Sequence, residues 1–63
     1  MSQQDVRQAI LQYQQKHKLP DYVMCNILCM DEIEWQKFRT YGTTLTVLQQ
    51  LSFIMETNTP LPD

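Results

Sequence analysis

The stretch CMDEIEWQKFRTYG, at positions 29–42, has the pattern of a capped helix. Asp31 and Glu34 have the spacing of a capping box, in which each side chain accepts from the backbone amide of the other residue. Trp35 and Phe38 lie three residues apart, so both fall on one helix face, and we expect them in the core. The closing glycine can take the left-handed conformation that ends a helix. The stretch therefore predicts a helix beginning just after Asp31.

Two more helices are predicted upstream. Residues 2–18 carry one apolar stripe of an amphipathic helix with Ser2 and Asp5 as its capping pair, and the stripe consists of Val6, Ile10, Tyr13 and His17. Residues 20–30 follow a break at Pro20, and Asp21 is the predicted cap of this segment. Apart from Asn26 the segment is apolar on every side, which predicts burial on more than one side, partly against a second copy of the chain.

A fourth helix is predicted downstream, where Thr46 and Gln49 form another capping box. This helix extends to about Glu56, and its expected core face consists of Val47, Leu48, Leu51, Ile54 and Met55, widened by Phe53. The prolines at 60 and 62 predict a short extended tail. The expected organisation is a single helical domain over residues 1–58 with a C-terminal tail over residues 59–63.

Composition narrows the classes of function. The chain has 63 residues, a net charge of −2 and a pI near 5.1, which argues against a protein that binds nucleic acid only by neutralising phosphates. No apolar run approaches the roughly 20 residues of a membrane span. The N-terminal segment is too polar for a signal peptide. We therefore expect a cytoplasmic protein that does not enter a membrane.

The cysteines and the single histidine give no basis for a metal or a catalytic site. Cys25 and Cys29 are four residues apart on one helix face, a poor geometry for a disulfide and only half of a zinc site. The expectation is two buried, reduced thiols. Catalysis needs a nucleophile, a base and a stabilising group in one cleft, and His17 alone supplies no such set. We expect no enzymatic activity, no metal and no cofactor.

The order and spacing of these segments resemble the lambda-repressor/Cro (Xre-type) helix-turn-helix family over about residues 19–61. The resemblance is carried by a very short connection between the second and third helices, by the capped third helix, and by apolar residues at the family's buried positions: Met24, Cys25, Leu28, Met30, Trp35, Phe38, Leu48, Leu51 and Ile54. Cys29 stands where the family usually has glycine, and Arg39 where it usually has glutamate. The resemblance implies an all-α fold, a compact bundle of four short helices of the lambda-repressor-like helix-turn-helix type.

The same resemblance implies that the third helix enters the major groove of DNA. Its outward residues would be Glu32, Ile33, Gln36 and Lys37, with Arg39 nearby. Gln36 suits adenine, and Lys37 suits guanine or phosphate. The first hypothesis is therefore a small DNA-binding transcriptional regulator of phage or mobile-element type, acting as a dimer.

An alternative hypothesis is a protein-interaction module that keeps the helix-turn-helix fold but has lost DNA binding. It is favoured by the acidic pI, by the carboxylates at the start of the third helix and by the apolar second helix. The cations are few, so DNA binding would be weak and sensitive to salt; they are Arg7, Lys16, Lys18, Lys37 and Arg39. Its contact patch, for a regulatory protein or a second copy, would consist of Leu11, Val23, Ile27 and Ile33. A continuous positive rim around residues 32–37 would favour DNA, and an acidic or apolar rim would favour protein.

Overall fold

The computed structural model describes residues 3–62, with no side-chain description for Gln3 and Gln4, so the predicted cap Ser2 lies outside the described residues. Four helices follow one another along the chain: α1 (Gln3–His17), α2 (Asp21–Leu28), α3 (Glu32–Tyr41) and α4 (Val47–Thr57). Between residues 3 and 62 there is no β-strand. The prediction of an all-α chain with four short helices is confirmed, with each boundary within about two residues of its predicted place.

The core is formed by side chains from all four helices and from the α3–α4 connection: Val6, Ile10, Met24, Cys25, Leu28, Trp35, Phe38, Leu45 and Phe53. Trp35 and Phe38 are fully buried, as predicted, and their ring centroids are 5.8 Å apart. Tyr13 meets Phe53 edge to face at 5.4 Å. The Tyr13–Phe53 contact therefore joins α1 to α4, while the Trp35–Phe38 pair lies within α3.

The helices end in left-handed residues, which allows the connections to be short. Lys18, Cys29, Gly42 and Asn58 all have positive φ angles, between 53° and 70°. After α2, the amide of Met30 donates to the carbonyl of Cys25 at 3.0 Å, and that of Cys29 donates to Asn26 at 3.4 Å. This is the Schellman pattern, and it satisfies carbonyls that the end of a helix leaves unpaired. It also turns the chain directly into α3.

Arg7 fastens α1 to the end of α3. Its Nε donates to the carbonyl of Phe38 at 3.2 Å, and its Nη2 donates to that of Arg39. A cation suits the negative end of a helix, where carbonyls lack partners. Gly42 lies directly beside this contact, because a Cβ atom there would be 3.1 Å from the Cδ of Arg7.

The predicted core face of α4 is wrong. Phe53 is the side chain that α4 buries, and Ile54 is half-buried, whereas the other predicted core residues are exposed: Val47 by 71%, Leu48 by 78%, Leu51 by 48% and Met55 by 81%. At 100° per residue, Phe53 lies opposite the Leu51–Met55 side of the helix. The single large ring fills the core and turns the aliphatic side chains outward.

Three smaller predictions also need correction. The Asp31 carboxylate accepts from the amide of Glu34 at 2.7 Å, but the Glu34 side chain accepts from Gln49 at 3.3 Å instead of completing a capping box. Asp21 makes no capping bond, since it is the first residue of α2 and its carboxylate faces other helices. Cys29 is exposed and only Cys25 is buried, because the turn directs Cys29 away from the core.

Candidate interaction surface

The outer side of α3 is fixed by its two inward aromatic residues. Because Trp35 and Phe38 point into the core, the residues predicted to face outward are exposed: Glu32, Ile33, Gln36, Lys37 and Arg39. The helix begins at the Asp31 cap and carries Glu32 and Glu34 in its first turn, where carboxylates favour the positive end of the helix dipole. The sequence therefore placed these side chains on the correct side of α3.

An open groove of about 530 Å³ crosses this outer side of α3. Ile33 is 70% exposed at one end, and Tyr41, which the sequence analysis did not single out, is 79% exposed at the other. We call this surface the α3 groove, and its lining is Glu32, Ile33, Gln36, Lys37, Thr40 and Tyr41. Two large apolar groups on one exposed helix face are suited to contact with another molecule.

Asp21 holds two of the residues predicted to contact DNA. Its Oδ2 accepts from the Nη1 of Arg39 at 3.2 Å, in an ion pair, and from the Nε2 of Gln36 at 3.2 Å. Its Oδ1 accepts from the Nε2 of Gln14 at 2.8 Å. The predicted DNA contacts Gln36 and Arg39 are thus already paired with a carboxylate.

These neighbours lower the pKa of the Asp21 carboxyl below its ordinary value of 3.8. The largest contribution comes from the indole N–H of Trp35, whose dipole favours the carboxylate although the group makes no hydrogen bond of ordinary geometry. The amide of Gln14 adds to the effect and partial burial opposes it, while Arg39 and Gln36 contribute less. Asp21 therefore stays ionised beside α3 at neutral pH.

The first turn of α3, at one end of the α3 groove, is acidic. It carries Glu32 and Glu34 after the Asp31 cap, and Glu32 lines the groove together with Lys37, while Asp21 and Arg39 form an ion pair beside it. Of the remaining cations, Arg7 binds carbonyls at the end of α3, Lys18 lines a depression between α1 and α3 together with Gln36 and Arg39, and Lys16 lies in the last turn of α1. The carboxylates of Glu32 and Glu34 interrupt the positive charge around residues 32–37.

The predicted protein-contact residues do not form one exposed patch. Leu11 and Ile27 are partly buried and pack against the core, and Val23 is half-buried. Leu11 lines this neighbouring depression of about 690 Å³ between α1 and α3, which shares Gln36 and Thr40 with the α3 groove. Of these four residues only Ile33 is largely exposed, because packing within the fold covers much of the surface of the other three.

The sequence analysis did not predict the larger exposed apolar surface, which lies on α4. Val47, Leu48, Leu51 and Met55 occupy an arc of about 100° on the outer side of α4. We call it the α4 arc. One signal in the sequence was available: the polar residues Gln49, Gln50 and Ser52 lie on the same side of the helix as Phe53 or beside it, so this helix has no fully apolar inner face.

The two cysteine thiols differ in environment. Burial raises the pKa of the Cys25 thiol, and the charges of Glu32, Asp21 and Asp31 raise it further, so this thiol is held protonated. The Cys29 sulfur is exposed and lies 3.4 Å from the hydroxyl of Ser52. Within residues 3–62, no three acidic, cysteine or histidine side chains are grouped so that they could hold a metal ion.

In the part of the chain that the structure describes, no helix has the length and apolar character required to cross a membrane. Protein-family models, curated proteins and solved structures were all compared with the chain, and none of them matches it.

Proposed function

We propose that this chain is a small protein-interaction module with a helix-turn-helix arrangement of α2 and α3. Its ligand is a basic, amphipathic segment of a regulatory protein, which it binds in the α3 groove. The observation that carries the proposal is the acidic first turn of α3 at one end of that groove, with Gln36 and Arg39 already engaged by Asp21.

Charge complementarity identifies the ligand class. Carboxylates at the start of α3 attract lysine and arginine side chains, whereas a phosphate backbone approaching the same place meets like charge. Ile33 and Tyr41 supply apolar contacts at the two ends of the groove, and such exposed side chains act as anchors in helix-in-groove recognition. An amphipathic segment with lysines flanking its apolar side matches both features.

DNA binding is the second candidate, and specific observations support it. Cys29 takes a left-handed conformation, with φ 55°, at the place where the helix-turn-helix family usually has glycine. Lys37 is exposed on α3, and the Gln36 amide needs only to exchange its bond to Asp21 to meet a base. With so few cations near α3, we expect such binding to be weak and sensitive to salt.

A titration by fluorescence anisotropy distinguishes the two candidates. The probes are a synthetic lysine-rich amphipathic peptide, a scrambled peptide of equal charge, and duplex DNA from randomised and genomic sequence, each at about 50 mM salt. We expect the amphipathic peptide to bind at tens of micromolar protein more tightly than the scrambled one, with no binding of DNA.

Ile33→Lys is the diagnostic variant, and Leu48→Lys, on the α4 arc, is its matched control. Both replace an exposed aliphatic residue with lysine, so both leave the core intact. Ile33→Lys is expected to weaken peptide binding at least about tenfold, while Leu48→Lys leaves it unchanged. Equal binding of both peptides, or salt-dependent DNA binding lost in Lys37→Ala, would overturn the proposal.

A further inference from the structure

We infer that the α4 arc is a self-association surface, on which a second copy of this chain packs with its α4 antiparallel to the first. This inference does not depend on the α3 groove or on the nature of any ligand there. It rests on the exposure of the arc, on the absence of charge within it and on the way the polar residues of α4 are used.

The polar side chains of α4 are turned toward the bundle and are occupied there. The hydroxyl of Ser52 donates to the carbonyl of Ile27 at 2.6 Å, and the Gln50 amide donates to that of Leu45 at 3.3 Å. Gln49 completes a capping box with Thr46 and also donates to Glu34. These bonds fix the rotation of α4 about its own axis. The outward position of the apolar residues is therefore set by specific contacts of the fold.

The composition of the α4 arc favours a second copy as its occupant. Its four side chains are all aliphatic, and Glu56, the one charged residue of α4, lies outside the arc. An identical arc therefore meets it without like-charge repulsion, as a two-fold symmetric interface requires. Within the described part of the chain, these four side chains are between 48% and 81% exposed, so most of the arc is open to a neighbouring molecule.

The ends of α4 favour the antiparallel orientation. The helix has no acidic residue in its first turn and no basic residue in its last, so side-chain charges do not offset its dipole. An antiparallel neighbour places the positive end of each helix beside the negative end of the other. In that arrangement Leu51 lies near the two-fold axis, and Val47 of one copy faces Met55 of the other.

The available area fits a weak dimer. At roughly 100 Å² for each exposed aliphatic side chain, two arcs with their flanking atoms bury on the order of 1,000 Å² in total. That value lies at the low end for specific complexes. We therefore expect a dissociation constant of roughly tens to hundreds of micromolar.

Sedimentation velocity over about 5 µM to 1 mM protein tests the inference. The wild type should shift from monomer to dimer, and Leu48→Lys/Met55→Lys should weaken association at least about tenfold. Ile33→Lys/Tyr41→Lys is the matched control, because it places the same two charges at exposed apolar sites on α3. Circular dichroism verifies that every variant keeps its helices. A wild type that stays monomeric at 1 mM, or equal effects of the two sets of variants, would refute the interface.

Cysteine crosslinking tests the orientation. In a Cys29→Gly background, which removes the exposed thiol, Leu51→Cys should form a disulfide-linked dimer under mild oxidation, whereas Val47→Cys should not. Efficient crosslinking at Val47, with or without crosslinking at Leu51, would contradict the antiparallel arrangement, because a parallel pair brings each of these positions next to its own copy. Capture of an unrelated protein by the α4 arc, together with a monomeric wild type, would show that the occupant is another molecule and would likewise refute the inference.

Discussion

α3 and α4 have similar lengths and similar capped starts, yet they attach to the bundle in opposite ways. α3 buries Trp35 and Phe38 and presents charged and polar residues outward, broken only by Ile33 and Tyr41. α4 fully buries Phe53 alone and presents an aliphatic arc. α3 thus buries its large aromatic side chains within its own chain, whereas α4 leaves exposed the apolar side chains whose burial ordinarily stabilises a helix.

Hydrogen bonds replace part of the missing apolar burial of α4. The bond from Ser52 to the carbonyl of Ile27 is partly shielded from water and joins α4 to α2. Such a bond contributes about 1 kcal/mol, less than burial of one large aliphatic side chain. The contrast between α3 and α4 shows that an amphipathic pattern can identify a helix but does not identify which side of the helix packs against the core.

The largest expected effect comes from removing the buried rings. Phe38→Ala and Phe53→Ala should each cost about 3–5 kcal/mol, close to the total stability of so small a domain. We expect Phe38→Ala to lose all helicity, and Phe53→Ala to release α4 while α1–α3 retain much of theirs. Circular dichroism and residue-resolved amide exchange measure this. Phe38→Leu and Phe53→Leu are the milder controls, and identical, complete unfolding of both alanine variants would remove the contrast between the helices.

The helix ends provide a second test, with effects near 1 kcal/mol. Gly42 ends α3 at φ 70° and Asn58 follows α4 at φ 53°. Gly42→Ala should destabilise the fold by about 1–2 kcal/mol, because alanine is strained there and its Cβ crowds Arg7. Asn58→Gly should stabilise it by up to about 1 kcal/mol. Urea denaturation measures both changes. An unchanged free energy of unfolding in Gly42→Ala would show that the Arg7 side chain moves aside easily.

The smallest effect concerns pH and should arise where Asp21 joins α2 to α3 and α1. Asp21, which bonds to Gln36 and Arg39 of α3, has a lowered pKa in the folded state. Its contribution to stability is present above about pH 4 and is lost as the pH falls through the folded-state value. Because the ion pair is partly exposed, we expect less than about 1 kcal/mol.

Urea denaturation of wild type and Asp21→Asn at neutral pH and near pH 2.5 measures this contribution. Asp21→Asn should be less stable than the wild type at neutral pH, and the difference in their free energies of unfolding should become smaller in acid. A difference that is constant with pH would show that the charge of the Asp21 carboxylate does not contribute to stability.

Local signals in the sequence predicted most of the fold. The spacing of Trp35 and Phe38 and the capping box of Thr46 and Gln49 depend on neighbours within one helical turn, so the sequence shows them directly. The face of α4 was not predictable in this way. Five aliphatic residues at helical spacing looked like a core stripe, but the volume of Phe53 on the opposite side decided the orientation.

Part of the candidate site was predictable, because that part also depends on neighbours within one helical turn. The exposure of Glu32, Ile33 and Lys37 follows from their position relative to the inward aromatic residues. The link from Asp21 to Arg39 joins residues 18 positions apart and arises only when α2 and α3 cross. Cys29 was expected in the core because cysteine is small and apolar, but its left-handed turn directs it to solvent.

Trp35 reports on the state of the core through its intrinsic fluorescence. It is the single tryptophan of the chain, it is fully shielded from water and it stacks on Phe38. Its emission should therefore be blue-shifted in the native state and move to longer wavelength when the core opens. The α4 arc faces away from the core, so pairing of two copies should leave that wavelength unchanged. Unfolding and self-association thus have separate signals in one unlabelled sample.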